Sequence, residues 1–362
     1  MKPGRFIGTT GPALNVEDFN ETSVPVTLST QFHVDTQFTT QDLALSLDMF
    51  SDRVLKPAVA AIANKIDRDG TLQAANNTYN IVGTAGTPPT GLITYLTAAA
   101  YLDSEGAPRD GRRSCIVEPF TSATIVDSLK GLFVPQEAIG EQYRKGLMGR
   151  DSAGMNWKMD QNVVAHTFGS FAGSATVATT TATGFLTSGW ASSSTITLTL
   201  TSGVSLNQGD TFTIAGVYAV NPQNRQAYGS NKLRNFVVNT AVSGSGSTIT
   251  VNVSPAVITA GQFQNVSIPS TSATAAVSFF NSSGTVSPQN IIMHRNAFTL
   301  AVADLELPEG VHFAGRASDK EIGLSMRVVR QYTINNDSIP TRLDVLYGWA
   351  NLYPELACRV AA

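Results

Sequence analysis

TQDLALSLDMFSDRVLKPAVAAIANKIDRDG, residues 40–70, places apolar side chains at intervals of three and four. This spacing puts them on one face of a helix, and it predicts a long amphipathic α-helix over residues 41–70. Gly70 stands where such a helix ends, and Pro57 lies inside the pattern, so we expect a kink there. The apolar positions are Phe50, Val54, Ala58, Ala61, Ile62 and Ile66.

The residues before this helix have the pattern of an extended chain. Residues 24–35, VPVTLSTQFHVD, largely alternate apolar and polar side chains, which predicts a strand with one apolar face. Residues 2–16 are rich in glycine, as is typical of the other arm of a hairpin. Because an isolated two-stranded ribbon is marginally stable in water, we predict that residues 1–40 form a β-hairpin that lies against another surface.

Residues 71–168 mix helical and extended patterns, which indicates an α+β arrangement with connections of ordinary length. Ser122 is a suitable N-cap for one of the helices. The predicted helices cover residues 89–102, 122–129 and 136–145, and the predicted strands cover residues 114–117 and 155–168.

The next part of the chain, residues 169–289, is almost free of charge, and we call it the insert. Between Gln161 and His294 the charged residues are Asp210, Arg225, Lys232 and Arg234, whereas the whole chain has 24 basic and 27 acidic residues. Polar and apolar residues alternate in short runs such as residues 195–200, 211–215 and 248–253, separated by Ser, Gly and Asn. This pattern predicts about six or seven short strands in a small antiparallel barrel or sandwich.

Two other interpretations of the insert are less favourable. Its Thr-rich and Ser-rich composition is also typical of a mucin-like or disordered spacer. A spacer needs no core, however, and the insert contains large aromatic side chains, which favour a folded domain. They are Trp190, Phe212, Phe236, Phe263, Phe279 and Phe280.

Residues 290–362 are charged again and have an α+β pattern, with predicted strands at residues 323–333 and 343–350. The charged sequence on both sides of the insert, which we call the frame, therefore closes after it. This order is typical of one domain inserted into a loop of another.

Composition excludes several classes of protein. Cys115 and Cys358 are the two cysteines in 362 residues, so a disulfide-rich scaffold is excluded and two small buried side chains in a reducing compartment are favoured. The N-terminal sequence lacks the pattern of a signal peptide, and no apolar run is long enough for a membrane span. A net charge of -3 without a basic cluster argues against tight nucleic-acid binding.

A search for catalytic patterns gives little. The histidines, His33, His166, His294 and His312, have no second ligand at metal-binding spacing, and His294 with Arg295 favours a salt bridge over an anion site. Residues 83–91, GTAGTPPTG, precede a helix but lack the lysine of a phosphate-binding loop. We therefore predict a non-enzymatic protein with no catalytic residue, cofactor or metal site. A role in assembly with other subunits is the natural alternative to catalysis.

Several stretches resemble the major capsid proteins of short-tailed bacteriophages, in order along essentially the whole chain. These coat proteins have the HK97 fold and carry an inserted β-barrel, the I-domain. The similar stretches are residues 39–58 with 64–67, residues 209–222 (GDTFTIAGVYAVNP), residues 294–305 (HRNAFTLAVADL), residues 342–350 (RLDVLYGWA) and residues 354–358 (PELAC).

The resemblance implies a fold: an α+β HK97-like capsid fold with an inserted antiparallel β-barrel. Residues 1–40 would be the E-loop hairpin that lies across an adjacent subunit, and residues 41–70 the spine helix of the P-domain. Residues 71–168 and 290–362 would complete the P- and A-domains, and residues 169–289 would be the I-domain. The candidate inter-subunit contacts are Arg5, Phe32 and Val34, and Asn221, Arg225, Lys232 and Arg234 in the loop over residues 221–235.

The function implied by the resemblance is that of a virion major capsid protein. It would self-assemble into pentamers and hexamers, without a membrane, in the cytoplasm of the host bacterium and close an icosahedral shell around phage double-stranded DNA. The implied partners are a scaffolding protein, a portal protein and the packaged DNA, which it would contact weakly. The alternative is an extracellular adhesion or carbohydrate-binding module built on the Thr/Ser-rich insert.

Overall fold

The computed structural model describes residues 6–14, 16–41, 54–128, 152–171, 173–177, 184–229, 232–245, 247–268, 274–281, 284–319 and 323–362. The chain divides into two compact units. The first unit comprises residues 1–24, 74–297 and 351–362, and the second comprises residues 25–73 and 298–350.

The described helices are α1 (Lys56–Asn77), α2 (Leu92–Ser104) and α3 (Pro119–Ser128). The strands before the insert are β1 (Thr30–Thr39), β2 (Ile81–Gly83), β3 (Arg113–Val117), β4 (Asn156–Met159) and β5 (Ala165–Thr167). The strands of the insert are β6 (Ser170–Phe171), β7 (Ala175–Val177), β8 (Phe185–Leu186), β9 (Ser194–Leu200), β10 (Val204–Leu206), β11 (Thr211–Ala219), β12 (Leu233–Val238), β13 (Val242–Gly244), β14 (Thr248–Ser254), β15 (Val257–Ile258), β16 (Val266–Ser267) and β17 (Ala275–Phe279). The strands after it are β18 (Val286–His294), β19 (Phe298–Ala303), β20 (Phe313–Asp319), β21 (Leu324–Arg330), β22 (Ser338–Asn351) and β23 (Ala357–Ala361).

Helix α1 confirms most of the predicted apolar face, because Ala58, Ile62 and Ile66 are buried, but Ala61 is exposed and does not belong to it. Its predicted end is wrong: the helix passes through Gly70 and continues to Asn77. Residues 54–55 form a π-helical turn just before Pro57, so the helix is irregular next to the proline, where we expected a kink. The part of the predicted helix over residues 42–53 lies outside the described residues.

Gly70 is needed for close packing within the second unit. A Cβ at this position would lie 2.6 Å from Cζ2 of Trp349, closer than carbon atoms can approach. The Trp349 indole Nε1 donates a hydrogen bond of 3.0 Å to the carbonyl of Ile66, one turn earlier on α1. Glycine at residue 70 therefore makes room for an indole ring instead of ending a helix.

The sheet of the second unit has the order β1-β22-β21-β20, and β19 also pairs with β22. Strand β1 is antiparallel to β22, from Thr30 opposite Tyr347 to Thr39 opposite Ser338. The predicted strand is thus present, displaced toward the C-terminus, but its partner is a strand more than 300 residues away in sequence instead of residues 2–16. The hairpin prediction is wrong in this respect, since long-range pairing leaves no mark on local periodicity.

The central sheet of the first unit has the order β2-β23-β18-β3-β4, with α2 and α3 packed on one face. Cys115 and Cys358 are both buried and free, as expected. Both lie opposite Ile292 of β18, one on each side of it, so they are about two strand spacings, roughly 10 Å, apart. A disulfide needs Cα atoms within about 7 Å, and the strand between them prevents one.

The insert departs from the strands of the frame and returns to them at one point. Thr167 of β5 is paired with Val286 of β18, so the chain departs and returns through neighbouring strands. Between them, β12-β14-β9-β7-β17-β11 form a ring of antiparallel strands, closed by the pairing of β11 with β12. The predicted antiparallel barrel is confirmed, and we call residues 169–285 the inserted barrel.

Alternation within the barrel strands follows the predicted pattern. In β9 (STITLTL) Ile196, Leu198 and Leu200 point into a dry core while the intervening threonines are exposed. The side chains of Phe212 and Phe236 meet in this core, with ring centroids 5.8 Å apart. Threonine on the outer face therefore keeps the surface polar without charge.

Residues 290–362, predicted as α+β, have strands and a 3-10 helix (Pro354–Leu356) in their described part and no α-helix. The remaining elements differ from the predictions mainly at their ends. Helix α3 begins at Pro119, so Ser122 lies inside it and is not the N-cap that we predicted. Proline is favoured in the first turn, and the Ser122 N–H already bonds the Glu118 carbonyl at 2.8 Å. The predicted strand over residues 155–168 is divided into β4 and β5, and the predicted helix over residues 136–145 lies outside the described residues.

Candidate functional site: the anchors of the inserted barrel

The four charged residues of the insert share one property: each contacts a residue of the frame. Asp210 contacts His166, Arg225 contacts the backbone of Phe6, and Lys232 and Arg234 contact the end of helix α2. In a domain with a nearly uncharged surface, the charges that remain are used to fix the domain to the rest of the first unit.

The strongest of these contacts joins Arg234 of β12 to Glu105, the residue that follows α2. The guanidinium Nη1 lies 2.5 Å from the Glu105 carboxylate, and both side chains are more than 90% buried. Nη2 donates a hydrogen bond of 3.0 Å to the Tyr79 hydroxyl. Burial opposes the charge on Arg234, but the Glu105 carboxylate raises the pKa of Arg234 above the ordinary arginine value.

Two further barrel residues meet the same helix end. Lys232 Nζ lies over the ring of Tyr101, 3.1 Å from its centroid, and 3.2 Å from the Ser104 hydroxyl. The Tyr228 hydroxyl donates a hydrogen bond to the carbonyl of Ser104. We call Tyr228, Lys232 and Arg234, together with their partners Tyr79, Tyr101, Ser104 and Glu105, the α2 anchor. Burial lowers the pKa of Lys232 to about 8, and Glu105 partly offsets this effect.

The α2 anchor fits the electrostatics of a helix C-terminus. The last carbonyls of a helix lack intrahelical donors and carry a partial negative charge. Glu105 adds a full negative charge beside them, which is unfavourable unless a cation is close. Lys232 and Arg234 supply two cations from the barrel, so the helix end and the barrel neutralise each other.

A second anchor lies where the barrel joins the central sheet. Asp210 accepts hydrogen bonds from the backbone N–H groups of Asn207 (2.8 Å) and Gly169 (3.0 Å), and its other oxygen lies 2.8 Å from His166 Nε2. Arg359 of β23 is fully buried, and its Nη2 donates a hydrogen bond of 2.8 Å to the Gly209 carbonyl. Burial lowers the pKa of Arg359 to about 10, against the attraction of the nearby Asp210 carboxylate.

Gly209 is required for this approach. Its φ is +94°, a region that favours glycine, and a Cβ would lie 3.0 Å from the Asn76 side-chain oxygen and 3.3 Å from His166 Cε1. We call His166, Gly209, Asp210 and Arg359 the Asp210 anchor.

The third contact involves the N-terminal segment, residues 6–24. Arg225 Nη2 donates a hydrogen bond of 2.6 Å to the Phe6 carbonyl, and the Asn20 side chain bonds that of Gln262 at 3.2 Å. Beneath the segment lies a cavity of about 740 Å³, which we call the barrel cleft. Its walls come from the N-terminal segment, the barrel, and the residues around Glu105 and Glu355.

Comparison with known families identifies the protein. The model of the family described as P22 coat protein, gene protein 5, matches residues 9–358, nearly the whole chain. The chain belongs to the P22 coat protein family. It is a structural major capsid protein of a bacteriophage and part of the virion capsid.

Solved structures similar to this coat protein include several phage capsids. Three of them are each 10% identical to it with a TM-score of 0.44. They are a chain of Mycobacterium phage Che8 (96% of this chain and 76% of that chain), the capsid of cyanophage P-SCSP1u (100% and 84%) and the asymmetric unit of the bacteriophage PhiM1 mature capsid (99% and 79%). No curated protein matches the coat protein in sequence.

The predicted contact residues of the coat protein have different positions in the structure. Phe32 and Val34 of β1 are half-buried against the core of their own unit, so this face is covered within the chain. Lys232 and Arg234 are held in the α2 anchor, and Arg234 is 4% exposed, so the structure gives both an internal role. Arg5 lies outside the described residues.

Asn221 and Arg225 remain near the surface of the coat protein. The Asn221 side-chain oxygen accepts the N–H of Gln223 at 2.8 Å, and its carbonyl accepts the N–H of Arg225 at 2.8 Å, which folds the loop into a tight turn. Arg225 has a positive φ of 59°.

Among the described residues no group of three or more His, Cys, Asp or Glu side chains is placed to bind a metal ion. No described helix is long and apolar enough to cross a membrane.

Sequence analysis did not find the frame side of the anchors. Glu105, His166 and Arg359 lie 129, 44 and 150 residues from their barrel partners, so no local motif joins them. The sequence signal that points to the anchors is the scarcity of charged residues in the insert, because the four that it contains all contact the frame. His294, by contrast, contacts a nearby carboxylate: its Nε2 lies 3.2 Å from Asp110 Oδ1.

Proposed function

We propose that this coat protein forms pentamers and hexamers that close an icosahedral shell around phage double-stranded DNA. In this proposal the inserted barrel is the I-domain of an HK97-type fold, and the shell assembles in the cytoplasm of the host bacterium. A scaffolding protein and a portal ring would take part, and the DNA contact would be weak because the chain has a net charge of -3. Membership of the coat protein family supports the proposal, whereas nothing in the comparisons favours the adhesion module.

The observation that carries the proposal is the exposure of the N-terminal segment. Within it, Phe6, Leu14, Val16 and Phe19 are 58%, 89%, 78% and 62% exposed. Full burial of one such side chain stabilises a structure by about 1.5–3 kcal/mol. A group of exposed apolar side chains on one segment is typical of a surface that is covered by another molecule. In a shell, that molecule is a neighbouring copy.

The experiment compares the whole chain with a variant that lacks residues 2–24. The deletion stops before β1, because that strand belongs to the sheet of the second unit and its loss would disrupt the fold. We expect the whole chain to form closed shells in size-exclusion chromatography and negative-stain images. The deletion variant should remain a soluble subunit with unchanged far-ultraviolet circular dichroism.

The matched control replaces two exposed polar residues of the same segment, in the variant Thr9→Ala/Thr10→Ala, which should form normal shells. Normal shells from the deletion variant would contradict the role of the segment. A whole chain that stays monomeric or dimeric with every assembly partner supplied would contradict the proposed function.

A further inference from the structure

The barrel cleft has the size and the walls of a small-molecule site. Its volume of about 740 Å³ lies within the range of about 300–1,000 Å³ that is usual for ligand pockets. Trp190 and Phe263 of the barrel, and Tyr353 shortly before β23, contribute aromatic side chains to its walls. Trp190 is 39% exposed, so a large aromatic surface at the wall is open to solvent. These walls favour a ligand with an apolar or aromatic body.

The charges at the cleft form a balanced group and, among the described residues, leave one cation outside it. Arg234 is paired with Glu105. Burial raises the pKa of Glu105, and the nearby Glu355 carboxylate raises it further, against the effects of Arg234 and Lys232. Two cations and two carboxylates therefore lie close together. Arg225 also lines the cleft, but it has no carboxylate partner in the described part of the chain.

Arg225 is held in a conformation that few side chains adopt. Its φ of 59° lies in the left-handed region, and its N–H donates to the Asn221 carbonyl at 2.8 Å, which fixes the turn. Nη2 donates to the Phe6 carbonyl at 2.6 Å, whereas Nε is buried without a hydrogen-bond partner among the described residues. Backbone strain of this kind is concentrated at functional sites and ligand clamps. The turn thus presents to the cleft a cation whose donors are only partly used.

We propose that the barrel cleft binds a small organic anion, with its carboxylate or phosphate group at Arg225 and its apolar or aromatic body against Trp190 and Phe263. A guanidinium has the planar arrangement of donors that carboxylates and phosphates accept, so Arg225 selects the oxyanion. The aromatic walls select the body of the ligand. This site goes beyond shell formation and does not depend on it, because the whole cleft lies within the first unit of one chain.

The ligand contacts three parts of the first unit that are far apart in the sequence. These are the N-terminal segment at Phe6, the barrel at Arg225 and Trp190, and the residues before β23 at Tyr353. A ligand that binds the folded chain and not the unfolded one stabilises the fold in proportion to the logarithm of its concentration. Binding therefore raises the midpoint of thermal unfolding.

The test is isothermal titration calorimetry of the whole chain with benzoate and with phenyl phosphate. Benzamide has the shape of benzoate without its charge, and inorganic phosphate lacks the ring, so these two compounds are the matched probes. We expect benzoate or phenyl phosphate to bind at one site, and the matched probe of each to bind at least about tenfold more weakly. A hydrogen bond to a charged group changes affinity by about this factor or more.

Variants assign the binding to the cleft. Arg225→Gln should weaken the binding of the anion at least about tenfold, whereas Arg225→Lys, which keeps the charge, should retain most of it. Trp190→Ala should also weaken it. The control is Arg316→Gln, an exposed arginine of the second unit, which should bind as the wild type does. Circular dichroism of each variant checks that the fold is unchanged.

Three results would overturn the inference, and none of them bears on shell formation. Failure of both benzoate and phenyl phosphate to bind would show that the cleft is not a site for organic anions. Equal affinities for each anion and its matched probe would show that the oxyanion or the ring is not recognised. Equal affinities in the wild type and Arg225→Gln would place the bound anion elsewhere. A preference between benzoate and phenyl phosphate identifies the oxyanion and supports the inference.

Discussion

Arg234 and Glu105 form an ion pair in which both side chains are more than 90% buried, so the effect of changing one partner differs from the effect of changing both. Moving both charges out of water is costly, and the net stabilisation of such a pair is often small. Removal of one partner, however, leaves the other charge buried and unpaired. The α2 anchor therefore determines where the barrel attaches, and its net contribution to the stability of the chain is small.

We expect Arg234→Met to lower the free energy of unfolding by about 3–5 kcal/mol, because the buried Glu105 loses the guanidinium that donates a hydrogen bond to its carboxylate. The double variant Arg234→Met/Glu105→Leu should recover most of this loss. Urea unfolding followed by circular dichroism measures both. Arg316→Met is the control, since its pair with Asp304 is exposed at 3.5 Å and should contribute less than about 1 kcal/mol. Equal losses in Arg234→Met and the double variant would contradict the argument.

Lys232 gives the anchor a dependence on pH. Its pKa in the folded protein is about 8, below the ordinary lysine value of 10.5. Between these two values the unfolded chain binds the proton more tightly than the folded one, so the stability of the folded state rises with pH through this range. We expect the unfolding free energy of the wild type, measured relative to that of Lys232→Met, to rise between pH 8 and pH 10.5. A difference that does not change with pH would show that Lys232 keeps an ordinary pKa.

At the scale of single elements, local periodicity identifies most helices and strands but not their ends or partners. The alternation in β9 and β14 predicts these strands to within one residue, because a barrel strand with one exposed and one buried face alternates polar and apolar side chains. The end of α1 is not predictable in this way. Glycine is common where helices end, but at residue 70 the missing Cβ makes room for the indole of Trp349, which is far away in the sequence.

Gly70→Ala tests this explanation. Alanine favours a helix interior over glycine by about 1 kcal/mol, so local propensity alone predicts a more stable protein. Because the new Cβ would lie 2.6 Å from the Trp349 ring, we expect a loss of about 1–3 kcal/mol in urea unfolding instead. Gly229→Ala, where a Cβ meets nothing within 4 Å, is the control and should be nearly neutral. A stabilised Gly70→Ala variant would show that the indole moves at little cost.

At the scale of the whole molecule, the sequence predicts the insertion because charge density changes sharply at its two boundaries. Thr167 of β5 pairs with Val286 of β18, and most of the predicted insert, residues 169–289, lies between these two strands. The attachment of the barrel is not predictable in this way, since it depends on Glu105, His166 and Arg359, which have no distinguishing local pattern. Composition therefore predicts an inserted domain, while side-chain contacts from distant segments determine how it is held.

The closed ring of strands gives the inserted barrel a core of its own, so residues 169–285 should fold when they are produced alone. In that fragment Arg234 no longer meets Glu105 and is exposed to water, and its replacement removes no buried partner. We therefore expect Arg234→Met to change the stability of the isolated barrel by less than about 0.5 kcal/mol, against about 3–5 kcal/mol in the whole chain. Urea unfolding of both proteins, with and without the substitution, measures the difference. Equal losses in the fragment and the whole chain would mean that Arg234 stabilises the barrel itself, and the α2 anchor would then have no role in joining barrel and frame.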